Sequence, residues 1–324
     1  MFYRLFVTLM LFSGFAANDN PTPSRTLVVS SSHLLEIPPF GAYGHAQCDK
    51  DGNLFFHNSG APFDQGAILK LKSGSWESTV FKISQDASEK VFFERFSVSP
   101  SGEMWQVGTT KKGHQVLFTF TGDGEVSSRT KLDAADNLFI QDFAVSDRGT
   151  ALVTGYFDST AAPELQGRSY VALFDRSGHL IKHFNELFEQ VDVATVGLKL
   201  HSGNAVFAED GYFYLLHDQS IQVLSESGSM VHRIKFDKPD KEAIPTGIRI
   251  STGMAAIWLS YVDKKGPITH QFLVLDLQTQ EPFALYTPAP ELKESSAVCF
   301  SRKDGFEFRK IESGRVWLIQ AALR

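Results

Sequence analysis

The sequence predicts an all-β protein, a six-bladed β-propeller with four-stranded blades, and three observations support this prediction. A tight polar turn with glycine, set between two apolar strands, recurs six times, with the glycine at positions 52, 102, 149, 211, 253 and 305. The spacings of 50, 47, 62, 42 and 52 residues match the period of a propeller blade. Helix-forming patterns are nearly absent. The alternative is a β-sandwich with ordinary hairpins, which does not require six matching turns at this period.

The first sixteen residues have the pattern of a secretory signal peptide. Residues 1–4 form a short, positively charged head, and residues 5–15 form an apolar run. Gly14 and Ala16 fit the small-residue requirement of a cleavage site, and we place cleavage after Ala16 or Ala17. The alternative is an N-terminal core helix. We therefore expect a signal peptide at 1–16, a linker at 17–25 and the propeller domain at 26–324, in a protein exported to the periplasm or the extracellular space.

Each unit is predicted to contain four short strands. The first turn, such as Asp51-Gly52-Asn53, requires glycine because it places one residue at positive φ. A second turn follows in most copies, with glycine at 74, 124, 178 and 228. A single sheet of this kind cannot bury both faces, so the six units must stack around an axis.

The sixth unit is one strand short, because only 306–311 and 315–323 follow its turn glycine. Residues 25–37 can supply the missing outer strand and close the ring, which removes exposed sheet edges. Cys48 and Cys299, the only two cysteines, then lie on the inner strands of the first and last blades. They form either a disulfide across this seam or two buried free thiols.

Two motifs, Asp51-Gly52-Asn53-Leu54-Phe55 and Asp210-Gly211-Tyr212-Phe213-Tyr214, resemble NHL-type repeats. The chain from 26 to 324 resembles exported six-bladed β-propeller proteins of bacteria, with the best match in blades 1 and 4. The charged pair that often ends the second strand of such repeats is reduced to His57-Asn58 and His217-Asp218. The resemblance implies a propeller fold but no single activity, since its members include lactonases, lyases and scaffolds.

A ring of polar residues is predicted at the mouth of the channel. The residue seven positions before each turn glycine is polar in five of six copies: His45, Arg95, Asp142, Asn204 and Thr246, with Val298 in the sixth. The residues six positions before the glycine are apolar or small, so that phase should pack between blades. We predict that the five polar residues bind a ligand. The alternative is that they hydrogen-bond one another and channel water.

Charge and composition narrow the function. With 31 Lys+Arg against 37 Asp+Glu, the chain has a net charge of -6, which argues against nucleic-acid binding. No later stretch is long and apolar enough to cross a membrane. We expect a monomeric, non-enzymatic binding or scaffold module, without a cofactor, that recognises a protein or a small polar ligand through the funnel.

Two alternatives remain open. The first is a metal-dependent hydrolase or lyase of the lactonase or NHL-lyase type, with a divalent cation held in the channel by Asp142 and Asn204, although Arg95 would oppose a cation. The second is a structural envelope protein without a ligand.

Overall fold

The computed structural model describes residues 22–35, 43–58, 68–81, 91–157, 161–184, 204–262 and 268–324. These residues form six sheets arranged in a ring, which confirms the predicted six-bladed β-propeller. The predicted signal peptide at 1–16 and the first part of the predicted linker, 17–21, lie outside the described residues.

The first three blades follow the expected up-and-down order of four antiparallel strands. Blade 1 contains β3 (Tyr43–Cys48), β4 (Leu54–Asn58), β5 (Ile68–Leu71) and β6 (Ser78–Phe81). Blade 2 contains β7 (Val91–Val98), β8 (Met104–Thr110), β9 (Gln115–Phe120) and β10 (Val126–Lys131). Blade 3 contains β11 (Leu138–Val145), β12 (Ala151–Phe157), β13 (Ser169–Phe174) and β14 (Leu180–His183).

The last three blades have the same order, and two of them include N-terminal residues. Blade 4 contains β15 (Ala205–Phe207), β16 (Tyr212–His217), β17 (Ser220–Ser225) and β18 (Met230–Lys235). Blade 5 contains β19 (Ile244–Ser251), β20 (Met254–Tyr261), β21 (Thr269–Asp276) and β22 (Pro282–Thr287), and blade 6 contains β23 (Ser296–Ser301), β24 (Gly305–Glu312) and β25 (Arg315–Ala322). A 3-10 turn at Pro290–Leu292 connects them.

Two N-terminal strands complete the outer edges of blades 5 and 6. The strand β2 (Val28–Leu35) pairs antiparallel with β25 and is the fourth strand of blade 6. The strand β1 (Ser24–Thr26) pairs parallel with β22 and adds a fifth strand to blade 5. The end of the segment assigned to a linker thus has a regular place in the sheet. Both pairings cover outer strands that would otherwise expose unpaired backbone groups.

The inner strands of the six blades surround the channel in sequence order. Each of β3, β7, β11, β15 and β19 contacts the next inner strand, and β23 contacts β3. The ring is therefore closed between the last blade and the first. The six turn glycines all have φ between +76° and +88°, as the turn pattern predicts.

Six apolar clusters hold the ring together, one at each contact between neighbouring blades. Phenylalanine dominates among the largest fully buried side chains, which include Phe55, Phe96 and Phe143. Phe96 packs against blade 1 and Phe143 packs against blade 2. The predicted apolar phase of the inner strands thus lies between blades, where burial of aromatic surface stabilises the ring.

Candidate ligand-binding cavity

Two of the five predicted ring residues connect adjacent blades. The Arg95 Nε on β7 donates to the Gln141 carbonyl of blade 3 at 2.9 Å. The Asp142 carboxylate on β11 accepts the backbone N–H of Ala205 in blade 4 at 2.9 Å, and Asp142 is 1% exposed. Both side chains therefore satisfy inner-strand backbone groups that face the channel.

The other three residues have different surroundings. Asn204 is buried, and its Oδ1 accepts no hydrogen bond from the described residues. The Thr246 hydroxyl lies 2.8 Å from the Ser260 hydroxyl of the same blade, which in turn lies 3.0 Å from Nδ1 of His270. His45 lies on β3, and its side chain is outside the described part of the structure. A ligand-binding role for the five stays a prediction.

A second ring lies nearer the turns and has one side chain from each inner strand directed toward the following blade. Gln47 joins blades 1 and 2, because its Oε1 accepts the Val98 N–H at 2.9 Å and its Nε2 donates to the Phe96 carbonyl at 3.2 Å. The six members are Gln47, Ser97, Ala144, Val206, Arg249 and Cys299, and all of them line one cavity. We call this set the cavity ring.

The cavity has a volume of about 590 Å³ and lies at the turn end of the channel. Its outer part is lined by turn residues such as Asp51, Glu209 and Asp304. It also extends into the cleft between blades 6 and 1, where Trp76, Glu307 and others form its wall. None of the five predicted ring residues is among its lining residues. The volume falls within the usual range for small-molecule sites, roughly 300–1,000 Å³.

Arg249 places a positive charge inside this cavity. Its Nη1 donates to the carbonyl of Ile248 at 2.8 Å. Its Nε reaches the Val298 carbonyl of blade 6 and its Nη2 reaches the Ala46 carbonyl of blade 1, both at the long distance of 3.5 Å. The side chain therefore crosses the channel from blade 5 to blade 1. Burial lowers the pKa of the guanidinium, and the negative charge of Asp142 opposes this effect.

Glu307 contributes a carboxyl group to the same cavity. It lies on β24, between Cys299 on β23 and Gln320 on β25. Burial raises the pKa of Glu307 to about 7. Within the described ranges no basic side chain lies within ion-pair distance of it.

Cys48 and Cys299 form a disulfide, with their Cα atoms 5.8 Å apart. This resolves the two possibilities that the sequence leaves open. The bond joins the inner strands of the first and last blades and forms part of the cavity wall.

Among the described residues, no group of three or more His, Cys, Asp or Glu side chains is placed to hold a metal ion. No helix within the described ranges has the length and apolar character that spanning a bilayer requires.

Comparisons with known proteins give likenesses of fold. The sequence matches no family model, and no curated protein matches it. A luciferin-regenerating enzyme is 12% identical with a TM-score of 0.47, over 89% of this chain and 95% of that one. The WD40 domain of Neurospora crassa Pan2 is 9% identical with a TM-score of 0.47, over 94% and 98%. A Bacteroides caccae protein of unknown function is 12% identical with a TM-score of 0.38, over 75% of both chains. At these identities and TM-scores, the similarity does not indicate a function for this chain.

Sequence reasoning missed Arg249 and Glu307. In blades 1 to 4 the member of the cavity ring lies five positions before the turn glycine: these members are Gln47, Ser97, Ala144 and Val206. In blade 5, however, Arg249 lies four positions before Gly253, and in blade 6 Cys299 lies six positions before Gly305. The reason is turn length. Cys48 pairs with Leu54 across the first turn, whereas Ser251 pairs with Met254 and Ser301 pairs with Gly305. Ile248 and Ile250, on either side of Arg249, pack toward blade 4. This alternation of apolar and polar residues is the sequence signal that could have identified Arg249 as facing away from that contact.

Proposed function

We propose that the protein is an exported, monomeric binding module whose channel cavity takes a small polar ligand. The observation that carries this proposal is the half-buried Arg249 inside a cavity of about 590 Å³. Two of its three hydrogen bonds are long, so a ligand oxygen can replace a backbone carbonyl with a stronger, charge-assisted bond.

Export is supported by two independent features. One is the charged head, apolar run and small residues of the first seventeen positions. The other is the Cys48–Cys299 disulfide, since such bonds persist in oxidising compartments and are rare in the cytosol.

Ligand binding is tested by thermal-shift and calorimetric titration against a panel of small polar compounds: sugars, carboxylates, amines, amino acids and short peptides. We expect at least one class to bind, and Arg249→Gln to weaken it while Arg315→Gln, a change at an exposed position, does not. Absence of binding across the panel at millimolar concentration contradicts the proposal. If NMR shows that a bound compound is converted to product, the protein is an enzyme and not a binding module.

A further inference from the structure

The part of the cavity between blades 6 and 1 contains two opposite charges that do not pair with each other. The Arg249 Nε reaches the carbonyl of Val298, and the next residue, Cys299, lies directly opposite Glu307 in the β23–β24 pair. Directly opposite residues in such a pair have Cβ atoms about 5 Å apart. The guanidinium and the carboxyl group therefore line the same region of the cavity.

Glu307 is held in place without a charged partner. Its backbone is fixed by pairing on both sides, with Cys299 in one strand and Gln320 in the other. Gln320 accepts a hydrogen bond from the Ser31 hydroxyl through its Oε1 at 3.0 Å, so its own side chain is oriented by β2. A carboxyl group that is largely removed from water and unpaired gains strongly from a cationic neighbour.

The other charges of the cavity are either satisfied locally or lie at its rim. The Asp49 carboxylate accepts the N–H groups of Asp51 and Asn53 and the side-chain amide of Asn53. Lys50 pairs with Asp51 at 2.7 Å. The exposed rim residues Glu209 and Asp304 add negative charge at the entrance. This rim favours ligands that carry a positive group and disfavours simple anions.

We propose, building on the proposed function, that the ligand is a small zwitterion of the amino-acid or short-peptide class. Its carboxylate binds Arg249 and its ammonium group binds Glu307. The two opposite charges on the ligand match Arg249 and Glu307, which form no ion pair with each other, and each contact is worth more there than in water because both sites are partly desolvated.

Calorimetric titration with three matched forms of a dipeptide tests this proposal. The probes are alanyl-leucine, N-acetyl-alanyl-leucine, which lacks the ammonium group, and alanyl-leucinamide, which lacks the carboxylate. The twenty free amino acids and a set of dipeptides covering the side-chain classes are titrated alongside. We expect a free zwitterion to bind, and each blocked form to bind at least about 30-fold more weakly.

Variants assign the two charges. Glu307→Gln should remove the preference for a free ammonium group, and Arg249→Lys should weaken the carboxylate contact while keeping the charge. Glu312→Gln, at the exposed end of the same strand, is the matched control and should leave binding unchanged. Circular dichroism and thermal unfolding confirm that each variant is folded.

The pH dependence provides a second readout. A bound ammonium group favours ionised Glu307, whose pKa in the free protein is about 7. The α-amino group of the dipeptide has a pKa of about 8, so only about half of it is charged at pH 8, and apparent affinity should fall about fivefold from pH 8 to pH 6. The groups around Glu307 on the cavity wall are Cys299 and Gln320 beside it, and His33, Asp49, Lys50, Asp51, Glu209, Arg249 and Asp304 elsewhere. The dependence should disappear in Glu307→Gln and persist in His33→Asn.

Each outcome decides the matter. Equal binding of blocked and free forms, or binding that Glu307→Gln does not change, overturns the zwitterion assignment while the proposed function stands. If only sugars or simple carboxylates bind, the zwitterion assignment is likewise overturned and the proposed function still stands. No binding of any compound in the wider panel overturns both.

Discussion

The sulfur atoms of Cys48 and Cys299 connect two residues that are 251 positions apart in the chain and adjacent in the ring. Cys48 ends the inner strand of blade 1, and Cys299 lies on the inner strand of blade 6. The bond therefore fastens the contact between the last blade and the first, which the chain also joins by passing from β2 of blade 6 to β3 of blade 1. The same contact forms part of the wall of the candidate cavity, so ring closure also shapes the candidate site.

Loss of the disulfide should lower stability substantially. In the unfolded state the bond closes a loop of about 250 residues, and the loop-entropy model gives a stabilisation of roughly 5.5 kcal/mol for such a loop. We expect Cys48→Ser/Cys299→Ser to lower the free energy of unfolding by this amount in urea titrations. A reductant should destabilise the wild type and leave the double variant unchanged. Two reactive thiols in the denatured, unreduced protein would contradict the account.

Asp142 should be more important for stability than an exposed carboxylate that makes a similar bond. It is buried, accepts the Ala205 N–H and acts on the charge of Arg249. Asp142→Ala leaves a buried N–H unsatisfied, so we expect a loss of roughly 2–3 kcal/mol in chemical unfolding. Asp147, which accepts the Ser101 N–H at an exposed turn, is the control and should lose about 1 kcal/mol at most. Equal losses would mean that Asp142 does not bridge blades 3 and 4.

The β9–β10 turn contains two glycines with opposite expected responses to substitution. Gly124 has a φ of +89°, and an added Cβ would lie 3.0 Å from the Val80 carbonyl of blade 1. Gly122 does not have a positive φ, and its position has no atom within 4 Å of an added Cβ. We expect Gly124→Ala to destabilise by about 1–2 kcal/mol and Gly122→Ala to be neutral or slightly stabilising. Thermal unfolding of the pair measures the difference.

Glu307 should make stability depend on pH in a way that its glutamine variant does not. Its pKa is about 7 in the folded protein, above the usual value of 4.5, so the folded state holds the proton more tightly than the unfolded state. Ionisation of this buried carboxyl group lowers the free energy of unfolding. The loss is absent below pH 4.5, grows as the pH rises toward 7 and is complete above pH 7. Glu307→Gln should therefore be more stable than the wild type at pH 8, by roughly 3 kcal/mol, and similar to it at pH 4.

That comparison is a difference between two proteins, so titration of the other carboxylates cancels. Glu312→Gln is the control and should follow the wild type at both pH values. A stability difference between Glu307→Gln and the wild type that is equal at pH 4 and pH 8 would contradict the assignment.

Export predicts a shortened mature chain. We expect mass spectrometry of the protein recovered from a secreting host to show cleavage after Ala16 or Ala17. Recovery of the full chain, with the apolar segment 5–15 still attached, would contradict the proposed export.

The sequence predicts the blades well because the turn glycines reflect a local backbone requirement. Gly52, Gly102, Gly149 and Gly211 all have positive φ and lie just before equivalent second strands. It predicts the site poorly because the orientation of inner-strand side chains depends on turn length. The shorter turns after Ser251 and Ser301 shift the phase in blades 5 and 6, so counting from Gly253 selects Thr246 and misses Arg249.

Long-range pairing is the other source of what could not be predicted. Gln320 lies beside Glu307 across the β24–β25 pair, and its side chain accepts a hydrogen bond from Ser31 of β2, which is 289 positions away in the sequence. The fifth strand of blade 5, Ser24–Thr26, likewise has no local signal beyond its position. Both features depend on contacts that form only when the ring closes.

The position of a bound ligand in a crystal structure tests the central claim most directly. We predict density for a small polar compound at the turn end of the channel, in contact with the guanidinium of Arg249 and the carboxyl group of Glu307. A ligand bound instead at the opposite end, against Arg95, Asn204 and Thr246, would contradict the account.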